Sequence, residues 1–236
     1  MGFFIGKGFF SFKMFNRSVT VKGLAERDVK SDLGIWEIDY REVGNNLTDL
    51  NQKIQHDQAL VIEFLKSIGF VEADFAVQPM KVEDRLANIY SQSATGAQSS
   101  APDRFIVTSG IRVRSARVDL VQKATQQTGV LLQQGIPVTF ESTIINPNPS
   151  YYLTKLDAIR PDMLADATRS ARLVAEQFAK DSGTKLRGIQ HASQGVFQIM
   201  SRDTSTMNTD WSSNQNALGS IDKKVRLVTT IDYRLK

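Results

Sequence analysis

Between Ser18 and Val43 apolar and polar positions alternate along the chain. Val19, Val21, Gly23 and Ala25 form one run; Trp36, Ile38 and Tyr40, separated by Glu37 and Asp39, form another. A period of two is the signature of half-buried strands, and Asp28 to Gly34 supply a bend between them. Gly44-Asn45-Asn46 ends the second strand and offers an N-cap, with Asp49 placed to favour the helix dipole. The period then changes. Leu47, Leu50, Ile54, Val61, Leu65 and Ile68 recur at helical spacing up to Gly69, which predicts a helix of roughly 20 residues.

Alternation returns from Phe70 to Glu83, with Val71, Ala73, Phe75 and Val77 on one side until Pro79. Ser91 to Pro102 has no period and is rich in Ser, Ala and Gln, so it reads as a flexible loop. Phe105 to Ser115 is the next strand, Phe105, Val107, Ile111 and Val113 inward and Arg104, Arg112 and Arg114 outward. Val118, Val121, Thr125, Thr128 and Leu132 predict a helix stopped by Gly135. Ile136, Val138, Phe140 and Ile144 predict a strand broken at Asn146-Pro147-Asn148-Pro149.

The longest helical pattern follows. Leu156, Ile159, Met163, Ala167, Ala171, Val174 and Phe178 fall on one face, while Arg169, Arg172, Glu176 and Lys180 fall on the other, and Gly183 is the stop. Leu186 to Met200 reads as a strand, with His191 sharing parity with Ile189, Phe197 and Ile199 and so partly buried unless a bulge intervenes. Asp203 to Asp222 is a second polar loop. The chain closes on a strand with Val225, Leu227, Ile231, Tyr233 and Leu235 one way and Arg226, Asp232 and Arg234 the other.

The expected class is therefore α+β, mostly antiparallel sheet with long packed helices. Two similar halves, about 17–116 and 117–236, repeat the order strand, helix ending in Gly, strand, loop, strand. KSIG at Lys66 matches KDSG at Lys180, and RFIVTS at Arg104 roughly matches RLVTTI at Arg226, the pattern expected of an internal duplication.

Composition narrows the chemistry. The chain of 236 residues has no cysteine and two histidines, which removes disulfides, thiolate nucleophiles and Cys-held metals. His56 lies on the polar side of its helix. No H-E-x-x-H, G-x-S-x-G or phosphate-binding loop is present, Gly6-Lys7-Gly8 lacking the required spacing. No cofactor and no catalytic residue is expected. A net charge of +4 is too small to imply nucleic acid by itself. Arg104, Arg112, Arg114, Arg226 and Arg234, if their strands neighbour each other, would form a basic surface able to meet phosphate, anionic lipid or an acidic partner; otherwise they are ordinary strand-face charge. Nucleic-acid binding would further require stacking aromatics along that stripe and is disfavoured. Residues 1–16 are set apart by Phe3, Phe4, Phe9, Phe10, Phe12 and Phe15, interrupted by Lys7 and Lys13. This segment is too short and charged to span a bilayer, and reads either as the remnant of a membrane anchor or signal segment, cleaved or retained, or as an interface arm packing on a neighbour.

Three passages stand out, VTVKGLAERDVKSD from Val19, LADATRSARLVAEQFAKDSGTKLRGIQ from Leu164, and VRLVTTIDYRL from Val225. Together they resemble the SIMPL-domain family of bacterial cell envelopes. The resemblance covers 17–236, with two departures: Arg187 inserted between Leu186 and Gly188, and Pro161, which predicts a kink or restart of the long helix. It implies an α+β domain on the periplasmic side of the inner membrane, behind a signal or anchor segment, that tends to form homo-oligomers, with no agreed catalytic set and a loose link to envelope and oxidative stress. The expected function is a non-enzymatic envelope protein acting by self-assembly or by binding an envelope partner. The alternative is a hydrolase using carboxylates in a cleft between the halves; a pocket lined only by apolar and Arg side chains would count against it.

Overall fold

The computed structural model describes residues 17–87, 103–139, 148–202 and 217–236. The Phe-rich segment, the 91–102 loop, Phe140 and Ile144 lie outside them, as does most of the second polar loop. The fold is α+β and every strand pair is antiparallel. It divides into two compact units.

One unit comprises Ser31–Thr154 with Leu218–Ile221. Its strands are β2 (Leu33–Gly44), β3 (Phe75–Val77), β4 (Lys81–Asp84), β5 (Phe105–Ser115), β6 (Val138–Thr139) and β7 (Ser150–Tyr152), and β1 (Ser18–Lys30) belongs to the other unit. β2 and β5 are central, β3 and β4 pairing the far side of β5, and β6 and β7 the far side of β2. The register sets Trp36 opposite Val113, Ile38 opposite Ile111 and Tyr40 opposite Ser109, so the inward rows of both strands share one face. Helix α1 (Leu47–Ile68) covers that face with Leu50, Ile54, Val61, Phe64 and Leu65. Each such side chain contributes about 1.5–3 kcal/mol by leaving water. Its ends are closed as the sequence predicts: the Thr48 N–H donates to Asn46 Oδ1 at 2.9 Å, and Gly69 adopts φ 111°.

Three expectations in this unit are corrected. The single strand from Phe70 becomes a 3-10 turn at Glu72–Asp74 followed by two short strands, because Asp74 Oδ2 accepts the Val71 N–H at 3.0 Å and folds the backbone back on itself. Val71 is consequently exposed. The helix expected from Val118 to Leu132 is two, α2 (Val118–Gln126) and α3 (Gly129–Gln133). Thr125 and Thr128 hydroxyls donate to the Gln122 and Thr125 carbonyls at this break, competing with helix continuation. The buried positions are Val118, Val121, Ala124 and Leu131, while Leu132 is 60% exposed. Third, Leu47, placed on the stripe of α1, is exposed.

The second unit holds the described residues up to Lys30, with Lys155–Ala217 and Asp222–Lys236. It contains β1, α4 (Leu156–Asp181), β8 (Leu186–Gln194), β9 (Gln198–Ser201) and β10 (Asp222–Leu235). β10 is central, with β1 on one side and β8 and β9 on the other. β1 pairs with β10 from Ser18↔Arg234 to Lys30↔Asp222. That long-range pairing ties the first strand to the last, so the chain divides after Lys30 and not into 17–116 and 117–236. The two units nonetheless share an order of elements and a pairing pattern: β2 and β3/β4 flank β5 as β1 and β8/β9 flank β10.

Helix α4 runs unbroken through Pro161, so the helix does not restart there. Its buried row is Met163, Ala167, Ala171, Ala175 and Ala179, so Val174 and Phe178, placed on the buried face by their spacing, are exposed. The reason is close approach. A Cβ on Gly23 of β1 would sit 1.9 Å from the Ala167 carbonyl oxygen, leaving room under the helix for nothing larger than alanine there. The strand expected from Leu186 to Met200 is also interrupted: the Gly195 N–H turns to the Val228 carbonyl at 2.9 Å, separating β8 from β9.

Candidate functional site

A row at every fourth residue gains about 40° per step on a helix of 3.6 residues per turn, so α4 crosses its sheet obliquely. It leaves a different flank on each side. On the β1 side lie Asp162 and Asp166, both within 3.4 Å of the Arg27 guanidinium, then Ser170, Val174 and Phe178. On the other side lie Leu164, Thr168 and Arg172, and beyond them Pro161, Ala165 and Arg169. Those six residues, with Ile189 of β8 and Tyr233 of β10, line an open groove of about 650 Å³.

Its floor is set by strand register. Ile189 stands opposite Tyr233 and His191 opposite Asp232, so Gln190 is an extra residue in β8. The bulge puts Ile189 on the α4 face beside Tyr233 and breaks its parity with His191. The bulge on whose absence the partial burial of His191 depended is present, and His191 is exposed. From Arg187 to Gln194 every residue of β8 is exposed, and among the described residues β8 pairs only with β10.

The electrostatics of the groove are lopsided. Arg169 is compensated by Asp166 at 2.9 Å. Arg172 has no carboxylate within ion-pair distance among the described residues. Tyr233 is fully buried, and its hydroxyl has no hydrogen-bond partner among the described residues. The lining contains no Asp or Glu. Among the described residues the groove thus offers an apolar wall and one uncompensated guanidinium, and it does not supply the carboxylate pair a hydrolase would need.

A family model described as SIMPL, protein of unknown function (DUF541), matches residues 19–226. The chain belongs to the SIMPL family. No curated protein matches it. Two of the passages that carried the resemblance lie within the matched span, as β1 and as α4 running into β8; the third, in β10, meets it only at Val225 and Arg226.

The arginines expected to form one basic surface of the SIMPL chain lie on two separate sheets, since β5 and β10 do not neighbour each other. Arg104 binds Asp84 at 2.7 Å and stacks on Phe105, Arg112 binds Glu37 at 2.6 Å, and Arg226 faces Glu26 at 3.6 Å. These three are neutralised by neighbouring strands. Arg114 and Arg234 are exposed strand-face charges. Phe3, Phe4, Phe9, Phe10, Phe12 and Phe15 lie outside the described residues.

A second polar cluster went unnoticed in the sequence. Tyr40 donates to Ser109 Oγ at 3.4 Å in the core under α1, with the Asp57 carboxylate close by. Burial and then Glu42 push the Asp57 pKa up, and burial does the same for Tyr40. Ser109 accepts from the phenol of Tyr40, and His56 is exposed on the helix surface. No group of metal ligands assembles among the described residues. Nor is any helix among them long and apolar enough to cross a membrane.

Proposed function

We propose that this SIMPL protein is a non-enzymatic component of the bacterial envelope, on the periplasmic side of the inner membrane, and that it works by self-assembly. The observation that carries the proposal is β8: a strand of nine residues, exposed from Arg187 onward and paired on one edge only among the described residues. An open edge presents a row of backbone donors and acceptors that another strand can pair with. Val196, 84% exposed, lies just past its end and adds apolar area beside that edge. A second copy of this chain is the occupant, and addition of copies edge to edge builds a closed homo-oligomer when the rotation between them closes. The Phe-rich segment at 2–15 serves as attachment to the membrane or to the neighbouring copy. An envelope-stress role follows the family resemblance alone.

Light scattering on the whole chain, on a chain lacking residues 1–16, and on the Ala192→Lys/Val196→Lys double variant tests this reading. The expected result is a defined oligomer for the whole chain and a shift to monomer for the edge variant, with an unchanged circular dichroism spectrum. Dissociation on trimming would make the Phe-rich arm part of the same interface. A whole chain that stays monomeric at all concentrations, or an edge variant of unchanged mass, would refute it.

A further inference from the structure

We infer that the groove beside α4 is a binding site for an amphipathic monocarboxylate, a hydrocarbon or aryl body ending in one carboxylate. The inference is independent of assembly through the β8 edge. Leu164, Ala165 and Ile189 supply the apolar wall, and 49% of Ile189 remains exposed to water although it faces the helix. Pro161 and Arg172 mark the two ends along α4, about 16 Å apart at the helical rise. A body lying between them removes apolar surface from water without any movement of the backbone.

The head group follows from the charges. Asp166 holds Arg169, whereas Arg172 has no anionic partner among the described residues. One uncompensated guanidinium matches one negative charge, and its planar fork fits the two oxygens of a carboxylate. A phosphate dianion would bring a second charge with nothing to meet it. Tyr233, buried beneath the same groove, has a hydroxyl with no partner among the described residues, an orphan of the kind native interiors rarely leave. The volume of about 650 Å³ is also that of ordinary small-molecule sites.

Titration calorimetry of the whole chain with decanoate, below the concentration at which it forms micelles, tests the site. Saturable binding is expected, weakened about tenfold or more in Arg172→Gln, as for loss of a charged hydrogen bond. Decanol, with the same body and no charge, should lose a similar factor. Decyl phosphate should bind no tighter than decanoate. Arg172 is a surface residue, so its variant is expected to keep the wild-type dichroism and melting temperature, and Ile189→Glu gives a second, independent block of the wall. Absence of saturable binding, equal binding of decanol, tighter binding of decyl phosphate, or undiminished binding by both variants would overturn the proposal. So would retention on phosphatidylglycerol vesicles that is lost in Arg172→Gln while free decanoate fails to bind, which would make the site a lipid-surface contact.

Discussion

Substituting Gly23 by alanine adds one methyl group where β1 and α4 approach closely. The ideal Cβ lies 1.9 Å from the Ala167 carbonyl oxygen and 2.8 Å from both the backbone nitrogen and Cβ of Ala171. Restoring an ordinary C···O separation of about 3.3 Å requires a displacement of about 1.4 Å. Neither atom at Ala167 nor the nitrogen at Ala171 can yield by a rotamer change, because both belong to the backbone of α4. The helix must lift, and the packing of Ala171 and Ala175 with Val21 and Tyr233 opens with it. Overpacking a core commonly costs about 1–3 kcal/mol; with backbone on the receiving side the upper end applies, so a loss of about 3 kcal/mol is expected. Urea unfolding of the whole chain followed by far-ultraviolet dichroism reads this out. Gly188→Ala is the control: nothing lies within 4 Å of its added Cβ, and it should be neutral or stabilising by up to about 1 kcal/mol. Gly23→Ala unfolding within about 0.5 kcal/mol of the parent would show that α4 is not seated on β1 at this glycine, since that is the spread of surface substitutions.

Three further outcomes follow from the same structure. Asn46→Ala removes the acceptor of the Thr48 N–H at the head of α1 and should cost about 1 kcal/mol in urea, with Asn46→Asp close to neutral; an unchanged midpoint for the alanine variant would show the cap unused. Burial acts to raise the Asp74 pKa, but the Val71 N–H and Arg117 outweigh it and hold the carboxyl below its ordinary value, so its contribution is present above the unfolded pKa and is lost as pH falls through the folded one; Asp74→Asn should show a shallower loss of stability below about pH 4, and an identical acid slope would sink the assignment. Lys223 is buried and its pKa is lowered to about 8 from 10.5, so the unfolded chain binds the extra proton in that window and stability should rise with pH between the two values; Lys223→Met should flatten that rise, and a parent curve flat over the same window would refute it.

The strands were legible because a period of two survives even where the face is only half buried. β2, β5 and β10 show the expected inward rows, including Trp36, Ile111 and Leu227. α1 was legible for the same reason, with Asn46 and Gly69 announcing its ends. The misreadings cluster where a side chain bonds its own backbone or where one extra residue resets a phase. Asp74 turns the chain after Phe70, Thr125 and Thr128 accompany the break between α2 and α3, and Gln190 moves Ile189 and His191 onto opposite faces. The expected neighbouring of the arginine-bearing strands was not legible, because outward parity says which face of a strand a residue occupies but not which sheet the strand joins.

The groove was hidden by a related ambiguity, and the residue that resolves it was already in view. Hydrophobicity alone assigns α4 a face through Val174 and Phe178, because a valine and a phenylalanine outweigh any row of alanines. The alanine row at 163, 167, 171, 175 and 179, with methionine at its head, becomes the buried one only if something opposite demands small side chains. Gly23 makes that demand. A glycine at an inward position of a strand otherwise built of Val and Ala has no packing role of its own, and marks a place where another backbone comes close. Pairing that glycine with the one helical row containing no large side chain in its middle turns. The buried face then shifts by about 60°, Phe178 moves to the β1 flank, and Leu164, Thr168 and Arg172 swing over β8. With that rotation Arg172, which has no carboxylate partner among the described residues, lines the same groove as the exposed Ile189, and the proposed site becomes a consequence of one missing methyl group.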